Sequence, residues 1–172
     1  FFTKALADLE LLPFREPATS LFNQGMILGE DHEKMSKSRG NVVNPDSLVA
    51  TYGTDAVRLY LMFIGPWDAG APWNSNGIEG VTRFLSDVWN VMHYSVAKDA
   101  ALPEKTEVKL LTRKMHQLTQ RTTEEFRQFK FNTAIAGLMD FRNLLKKQRH
   151  LCGTAVWEEA LDRLNLLLAP MA

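Results

Sequence analysis

A short lysine-rich stretch, residues 34–41, holds the side chains best suited to chemistry. It reads KMSKSRGN, so it places three cations and two hydroxyls around a flexible glycine. Ammonium and hydroxyl groups donate hydrogen bonds to phosphate oxygens, and the cations neutralise the phosphate charge. The stretch therefore favours a polyphosphate ligand. A solvated surface loop is the alternative, because short basic runs are common in proteins.

The segments on either side of this stretch predict how it is positioned. Residues 20–28 have the pattern of a short strand, and residues 29–33 form a turn-rich link to the loop. Asn44 and Pro45 then predict a helix start, with asparagine as the N-cap and proline at the first helical position. We expect this helix to end at Gly53, a residue type that favours helix C-termini. The loop thus lies between a strand and a capped helix.

From residue 77 onward the pattern is wholly helical. One helix is predicted over residues 78–101, and Pro103 follows it as a breaker. Three further helices carry apolar residues at steps of three and four, which is typical of faces that pack in a bundle. Trp89 and Trp157 lie on such faces and are expected in the core. The other face positions are Val108, Leu111, Met115, Leu118, Thr122, Phe126, Phe129, Ile135, Leu138, Leu145, Leu161, Leu164 and Leu168.

The composition is that of a folded globular protein. Of 172 residues, 45% are apolar and 23% are charged, which excludes intrinsic disorder. No apolar run approaches the roughly 20 residues of a membrane-spanning helix. The single cysteine, Cys152, excludes an internal disulfide and indicates a reducing compartment, so we expect a cytoplasmic protein. The four histidines lie far apart without ligand spacing, and no metal site is expected.

The two ends of the chain indicate an excised segment. The chain begins with Phe1 rather than methionine and stops in an apolar run. We therefore expect a piece of a longer polypeptide, in which residues 1–75 form a small α/β portion and residues 76–172 form a helical bundle. A first helix is predicted over residues 2–12, from apolar residues at helical spacing.

Positive charge is concentrated in the helical half. Residues 106–149 hold ten basic side chains against four acidic ones, a net charge of +6 on a chain that is neutral overall. Such asymmetry is the electrostatic pattern of a surface that contacts a nucleic-acid backbone. Arg142, Lys146 and Arg149 are predicted to share one helix face. A solvated helix surface is the alternative.

The lysine-rich loop and its surroundings resemble a known family. KMSKS, followed by GNVVNPD and YGTDAVRL, is similar to the second signature of class I aminoacyl-tRNA synthetases. Within that class, MFIGP and the stretch from GIEG to RFL resemble the leucyl branch, and FNTAIAGLMDF and LLAPMA resemble its tRNA-binding bundle. The isoleucyl, valyl and methionyl branches share the loop and stay an alternative. A stand-alone RNA-binding module is a second alternative.

This resemblance implies a fold and an activity. The fold is mainly α, with a small α/β stem-contact region that carries the KMSKS loop and then an antiparallel helical bundle of the anticodon-binding type. The full-length enzyme is expected to activate leucine with ATP and Mg²⁺ and to transfer it to tRNA, without DNA or a membrane as partner. The first class signature and the amino-acid pocket are absent from this chain, so we expect it to be inactive alone.

The resemblance also assigns the site residues. Negative charge builds on the departing pyrophosphate, so the two loop lysines are expected to be catalytic, with Lys37 in the more direct contact. Met35 is expected to pack against the fold. The ATP-binding residues are expected to be Lys34, Ser36, Lys37 and Ser38. The resemblance implies that the bundle docks on tRNA, and the shared basic face makes Arg142, Lys146 and Arg149 the candidate tRNA-binding residues.

Overall fold

The computed structural model describes residues 1–95 and 103–172, and helices are the main regular structure in both parts. The elements are, in chain order, α1 (Phe2–Asp8), β1 (Met26–Leu28), α2 (Pro45–Tyr52), α3 (Thr54–Phe63), β2 (Gly70–Pro72), α4 (Gly77–Met92), α5 (Lys105–Arg127), α6 (Phe131–Lys147), a 3₁₀ helix (Arg149–Leu151) and α7 (Ala155–Leu168). The prediction of a mainly helical fold that begins with a small α/β portion is confirmed.

A single hydrophobic core joins α3 to the four later helices. Each helix contributes a stripe of apolar side chains at helical spacing. The largest fully buried side chains are Trp157, Phe84, Leu59, Ile78, Leu111, Met115, Ile135, Leu138, Leu145, Leu151, Leu164 and Met171. Because α5 and α6 pack together across a three-residue link, these two helices run antiparallel. Within the described residues, no helix has both the length and the apolar character to cross a bilayer.

The start and end of α2 follow the sequence prediction. The Oδ1 atom of Asn44 accepts a hydrogen bond from the N–H of Asp46 at 3.0 Å, so asparagine caps the helix. Gly53 ends it with a φ of 86°, a backbone conformation that favours glycine. Both signals involve only residues at the ends of the helix, and the structure confirms both predictions.

Two predicted helices are shorter than expected. α1 ends at Asp8 instead of residue 12 and buries none of its residues, so no packing partner extends it. α4 ends at Met92, where the N–H of His93 turns back to the carbonyl of Asn90 at 3.2 Å. The helix predicted over residues 78–101 is therefore interrupted after Met92, because residues 93–95 are not helical. Residues 96–101 lie outside the described part.

The prediction that both helical tryptophans are core residues is right for one of them. Trp157 is 1% exposed, whereas Trp89 is 69% exposed. The core face of α4 runs through Phe84, Val88 and Val91, and Trp89 lies one residue beyond it, rotated by about 100° around the helix. Its ring instead packs against that of His93, with centroids 4.4 Å apart.

β1 and β2 form a two-stranded parallel sheet that fixes where the lysine-rich loop begins. Met26 pairs with Gly70, and Leu28 pairs with Pro72. The predicted strand over residues 20–28 is correct only for its last three residues. The sequence does not predict β2, because Gly-Ala-Pro contains no side chain with strand preference. β1 leads straight into the turn before the loop.

Candidate functional site

The lysine-rich loop begins as the return arm of a tight turn. The N–H of Gly29 donates to the carbonyl of Glu33 at 2.8 Å, and Lys34 forms an antiparallel bridge with Leu28 at the end of β1. His32 has a φ of 62° within this turn. The backbone of Lys34 is therefore attached to the sheet, while its side chain is exposed.

The second half of the loop is a single helical turn. The carbonyl of Ser36 accepts from the N–H of Arg39 at 3.1 Å and from that of Gly40 at 3.2 Å. Gly40 has a φ of 70° and ends the turn, a conformation that glycine adopts without strain. The hydroxyls of Ser36 and Ser38 lie 2.7 Å apart in a hydrogen bond. This turn presents Lys37 and Ser38 to solvent.

Asn41 connects the two halves of the loop. Its Oδ1 accepts from the N–H of Ser36 at 2.8 Å, and its Nδ2 donates to the carboxylate of Asp31 at 2.9 Å and to the carbonyl of Lys34 at 3.4 Å. Hydrogen bonds from the N–H of Glu33 and from Asn41 lower the pKa of Asp31. Any stabilisation from this lowered pKa is present at neutral pH and is lost as the pH falls through it.

The loop combines an anchored methionine with accessible cations. Met35 packs against the core, as expected from the sequence, and lines an apolar pocket of about 220 Å³ together with Leu48 and Trp73. Within residues 1–95 and 103–172, neither Lys34 nor Lys37 has an acidic partner within 4.0 Å, whereas Arg39 pairs with Glu33 at 3.1 Å.

The ammonium groups of Lys34 and Lys37 are thus available to an anion. The hydroxyl of Ser38 is also exposed, and that of Ser36 is half-buried. The structure brings the four predicted ATP-binding residues into one surface loop, and ATP binding by them stays a prediction. Chemically, the arrangement can neutralise and hydrogen-bond a polyphosphate.

The predicted tRNA-binding residues have different surroundings. Arg142 is 13% exposed, donates to the carboxylate of Asp87 on α4, and lies over the ring of Phe84 at 5.3 Å. Lys146 also pairs with Asp87, at 3.0 Å, but is 42% exposed. Arg149 lies in the 3₁₀ helix beyond the end of α6 and is exposed.

The expectation that these three residues share one helix face is therefore wrong for Arg149, because α6 stops at Lys147. Arg142 and Lys146 do lie on one face, where Asp87 joins them to α4. This contact gives Arg142 a structural role that the sequence pattern does not predict. Whether any of the three contacts tRNA stays a prediction.

The cysteine and histidines show no sign of a separate active site in the described part of the chain. Among residues 1–95 and 103–172, no three His, Cys, Asp or Glu side chains come together as a metal site. Burial raises the pKa of the Cys152 thiol, which donates to the carbonyl of Tyr94 at 3.0 Å. His150 lies 3.0 Å from a carboxylate oxygen of Glu107.

A comparison with protein families identifies the class to which the loop corresponds. Residues 3–69 match the family model described as tRNA synthetases class I (I, L, M and V). This range contains β1, the lysine-rich loop, α2 and α3. The class I synthetase resemblance of the loop is therefore confirmed.

Within this class, the chain is similar to leucine–tRNA ligases over its whole length. It is 49% identical to that of Herpetosiphon aurantiacus and 50% identical to that of Prosthecochloris aestuarii, each match covering 100% of this chain and 21% of the relative. A crystal structure of LeuRS from Agrobacterium radiobacter, in a ternary complex with tRNA and LeuAMS, matches with a TM-score of 0.85 and 32% identity, over 99% of this chain and 23% of that one. The leucyl resemblance is thereby confirmed. The chain spans about a fifth of the length of the curated relatives it matches.

Proposed function

We propose that this chain supplies the ATP-binding loop and the tRNA-docking helices of a leucine–tRNA ligase. The observation that carries the proposal is the pair of exposed lysines, Lys34 and Lys37, on a hydrogen-bonded loop within a segment similar to class I synthetases. Residues 1–75 would be the end of the catalytic domain with the stem-contact region, and residues 76–172 the tRNA-binding bundle. The cytoplasm is the proposed location.

The proposed reaction has two steps. The carboxylate of leucine attacks the α-phosphate of ATP, which releases pyrophosphate and leaves leucyl adenylate. A hydroxyl of the terminal ribose of tRNA then takes the leucyl group from the adenylate, and AMP leaves. In the first step, negative charge grows on the departing pyrophosphate. Lys34 and Lys37 would neutralise this charge, so their contribution is larger in the transition state than in the bound substrate.

One of the hydroxyls of Ser36 and Ser38 would donate a further hydrogen bond to a phosphate oxygen. Their mutual hydrogen bond leaves one hydroxyl hydrogen of the pair for such a contact. Mg²⁺ is expected to accompany ATP. The described residues offer no cluster of ligands to hold it, and the step proposed for the loop uses only its own cations and hydroxyls.

The test of the proposed function is leucine-dependent exchange between ATP and pyrophosphate by the full-length protein. We expect exchange with leucine and little with isoleucine, valine or methionine. Exchange that depends on one of those amino acids would favour another branch of the class. Binding of tRNA without any exchange would favour a stand-alone RNA-binding module. For the 172-residue chain by itself we expect no exchange.

The basic helical half makes a separate prediction about tRNA. The double variant Lys146→Ala/Arg149→Ala of the full-length protein should bind leucine-accepting tRNA several-fold more weakly. The slope of log affinity against log salt should fall by roughly 0.7–0.9 for each phosphate contact that is lost. Binding is measured by filter retention across a salt titration.

The matched control removes two other cations. Like Lys146, Lys4 and Arg15 form ion pairs at the surface, and each of the two is 63% exposed. Both lie within residues 1–75, outside the basic helical half. Their double alanine variant should leave both affinity and salt slope unchanged. Equal slopes for all three proteins would show that the basic surface is only solvated. Arg142 is left intact in this test, because its removal would leave Asp87 without its most buried partner.

A further inference from the structure

We infer that Asn41 is a positioning residue for the lysine-rich loop and that it acts through Ser36 and Lys34, with Asp31 as its anchor. This inference rests on the proposed function, because it assigns a role within the leucine-activation step. Asn41 itself need not touch substrate. Its effect comes from fixing the backbone between the two lysines.

The geometry uses both ends of the Asn41 amide. Oδ1 accepts from the N–H of Ser36 at 2.8 Å, while Nδ2 donates to both carboxylate oxygens of Asp31, at 2.9 and 3.2 Å, and to the carbonyl of Lys34 at 3.4 Å. An amide carries an acceptor and two donors on one planar group. Neither a carboxylate nor an alkyl side chain at position 41 can satisfy all of these partners.

These contacts hold the backbone of Ser36 from both sides. Its N–H is bound by Asn41, and its carbonyl is bound by the N–H groups of Arg39 and Gly40. Ser36 lies between Lys34 and Lys37 in the chain, so fixing it sets the spacing and direction from which the two lysine side chains extend. Both lysine side chains are exposed, and neither ammonium group is ion-paired within residues 1–95 and 103–172.

Asp31 and Gly29 support Asn41 from the preceding turn. Asp31 also accepts from the N–H of Glu33 at 3.1 Å, so its carboxylate is held between backbone and amide. A Cβ at Gly29 would lie 2.5 Å from Oδ1 of Asp31 and 3.0 Å from Nδ2 of Asn41. The absence of a side chain at position 29 is therefore what lets the two polar groups meet.

A positioning role predicts a loss of rate rather than a loss of fold. Asp31 and Asn41 are exposed or half-buried and add little to the hydrophobic core, so their exchange should change the melting temperature only slightly. Transition-state stabilisation depends much more strongly on position, because misplacing a catalytic group by about 1 Å can cost 10²-fold in rate.

The test uses Asn41→Asp in the full-length protein, assayed by leucine-dependent exchange between ATP and pyrophosphate. This change places two carboxylates against each other and removes the donor to Lys34. We expect kcat to fall at least tenfold, with a smaller change in the KM for ATP. Asn44→Asp is the matched control: it makes the same substitution three residues further on, at a helix N-cap where aspartate serves as well as asparagine.

The double variant Asp31→Asn/Asn41→Asp tests the pairing itself. The amide at position 31 can donate to the carboxylate at position 41, whose second oxygen can still accept from the N–H of Ser36. We expect the double variant to be clearly faster than Asn41→Asp alone. Such rescue measures the coupling between the two side chains.

The outcomes separate this inference from the proposed function. A wild-type protein without leucine-dependent exchange would remove the proposed function. If wild-type exchange is present, an unchanged kcat in Asn41→Asp would overturn the positioning role, and so would a double variant no faster than the single one. A loss of rate that follows the melting temperature across the variants would also overturn it.

Discussion

Lys37→Ala in the full-length protein should slow leucine-dependent exchange between ATP and pyrophosphate by roughly 10²–10³, about 2.7–4 kcal/mol of transition-state stabilisation. The physical reason is that the exposed ammonium group of Lys37 would neutralise charge that develops only as pyrophosphate departs. Its removal should leave the melting temperature unchanged, because Lys37 has no ion-pair partner within the described residues and no place in the core.

Two further variants of the same loop test whether the loss of rate is specific to the ammonium group of Lys37. Arg39→Ala removes one positive charge from the same turn, but Arg39 is already paired with Glu33, so we expect a smaller loss of rate than for Lys37→Ala. Lys37→Arg keeps the charge and changes the shape of the donor, and it should restore only part of the rate. A normal exchange rate in Lys37→Ala, measured at saturating leucine and ATP, would remove this lysine from the mechanism.

The parts of the fold that the sequence predicts are those with local causes. Asn44 and Pro45 define the start of α2 because capping involves neighbouring residues only. Trp157 is buried as predicted because it lies on the apolar stripe of α7. The exposure of Trp89 is not predicted, because one residue step along α4 moves a side chain from the core face to solvent.

The parts that the sequence does not predict depend on contacts between distant residues. β2 forms because Gly70 can lie against Met26, which no local pattern of residues 70–72 indicates. The ion pair of Asp87 with Arg142 joins residues 55 positions apart. Both contacts are products of helix and strand packing, so neither is readable from spacing.

In the candidate site too, the features with local causes are predicted from the sequence, and those that depend on contacts in space are not. The residue types of the loop predict its ligand chemistry, and the resemblance to class I synthetases adds the reaction. The Asp31–Asn41 pair is not predicted, although the sequence holds a weak signal: a glycine at position 29, two residues before Asp31, and a Gly-Asn pair at the end of the loop. Glycine at position 29 is explained only when the neighbouring polar groups are placed in space.

Gly70→Ala should strongly destabilise the part of the chain that carries the loop. Gly70 has a φ of 69°, which costs an alanine about 1–2 kcal/mol. A Cβ at this position would also overlap the backbone nitrogen, carbon and oxygen of Met26, which cannot rotate away. The cost of the positive φ adds to the cost of shifting β1. We therefore expect the free energy of unfolding to fall by about 2–5 kcal/mol.

Gly80→Ala is the matched control for this variant. Gly80 lies within α4, and a Cβ there would meet no atom within 4 Å beyond the adjoining backbone of its own helix. The same substitution should therefore stabilise the chain by about 0.5–1 kcal/mol. Urea unfolding followed by circular dichroism measures both changes. Equal stability of the two variants would show that the sheet contact between Gly70 and Met26 is not tightly packed.

The effect of Gly70→Ala should extend from stability to activity. β1 ends at Leu28, whose bridge to Lys34 attaches the loop to the sheet. A shift of β1 away from an alanine at position 70 therefore moves the backbone that carries the lysines. In the full-length protein, under conditions where both variants are folded, Gly70→Ala should slow leucine-dependent exchange while Gly80→Ala should not. Normal exchange by a folded Gly70→Ala protein would mean that the loop is positioned by its own hydrogen bonds, independently of the sheet.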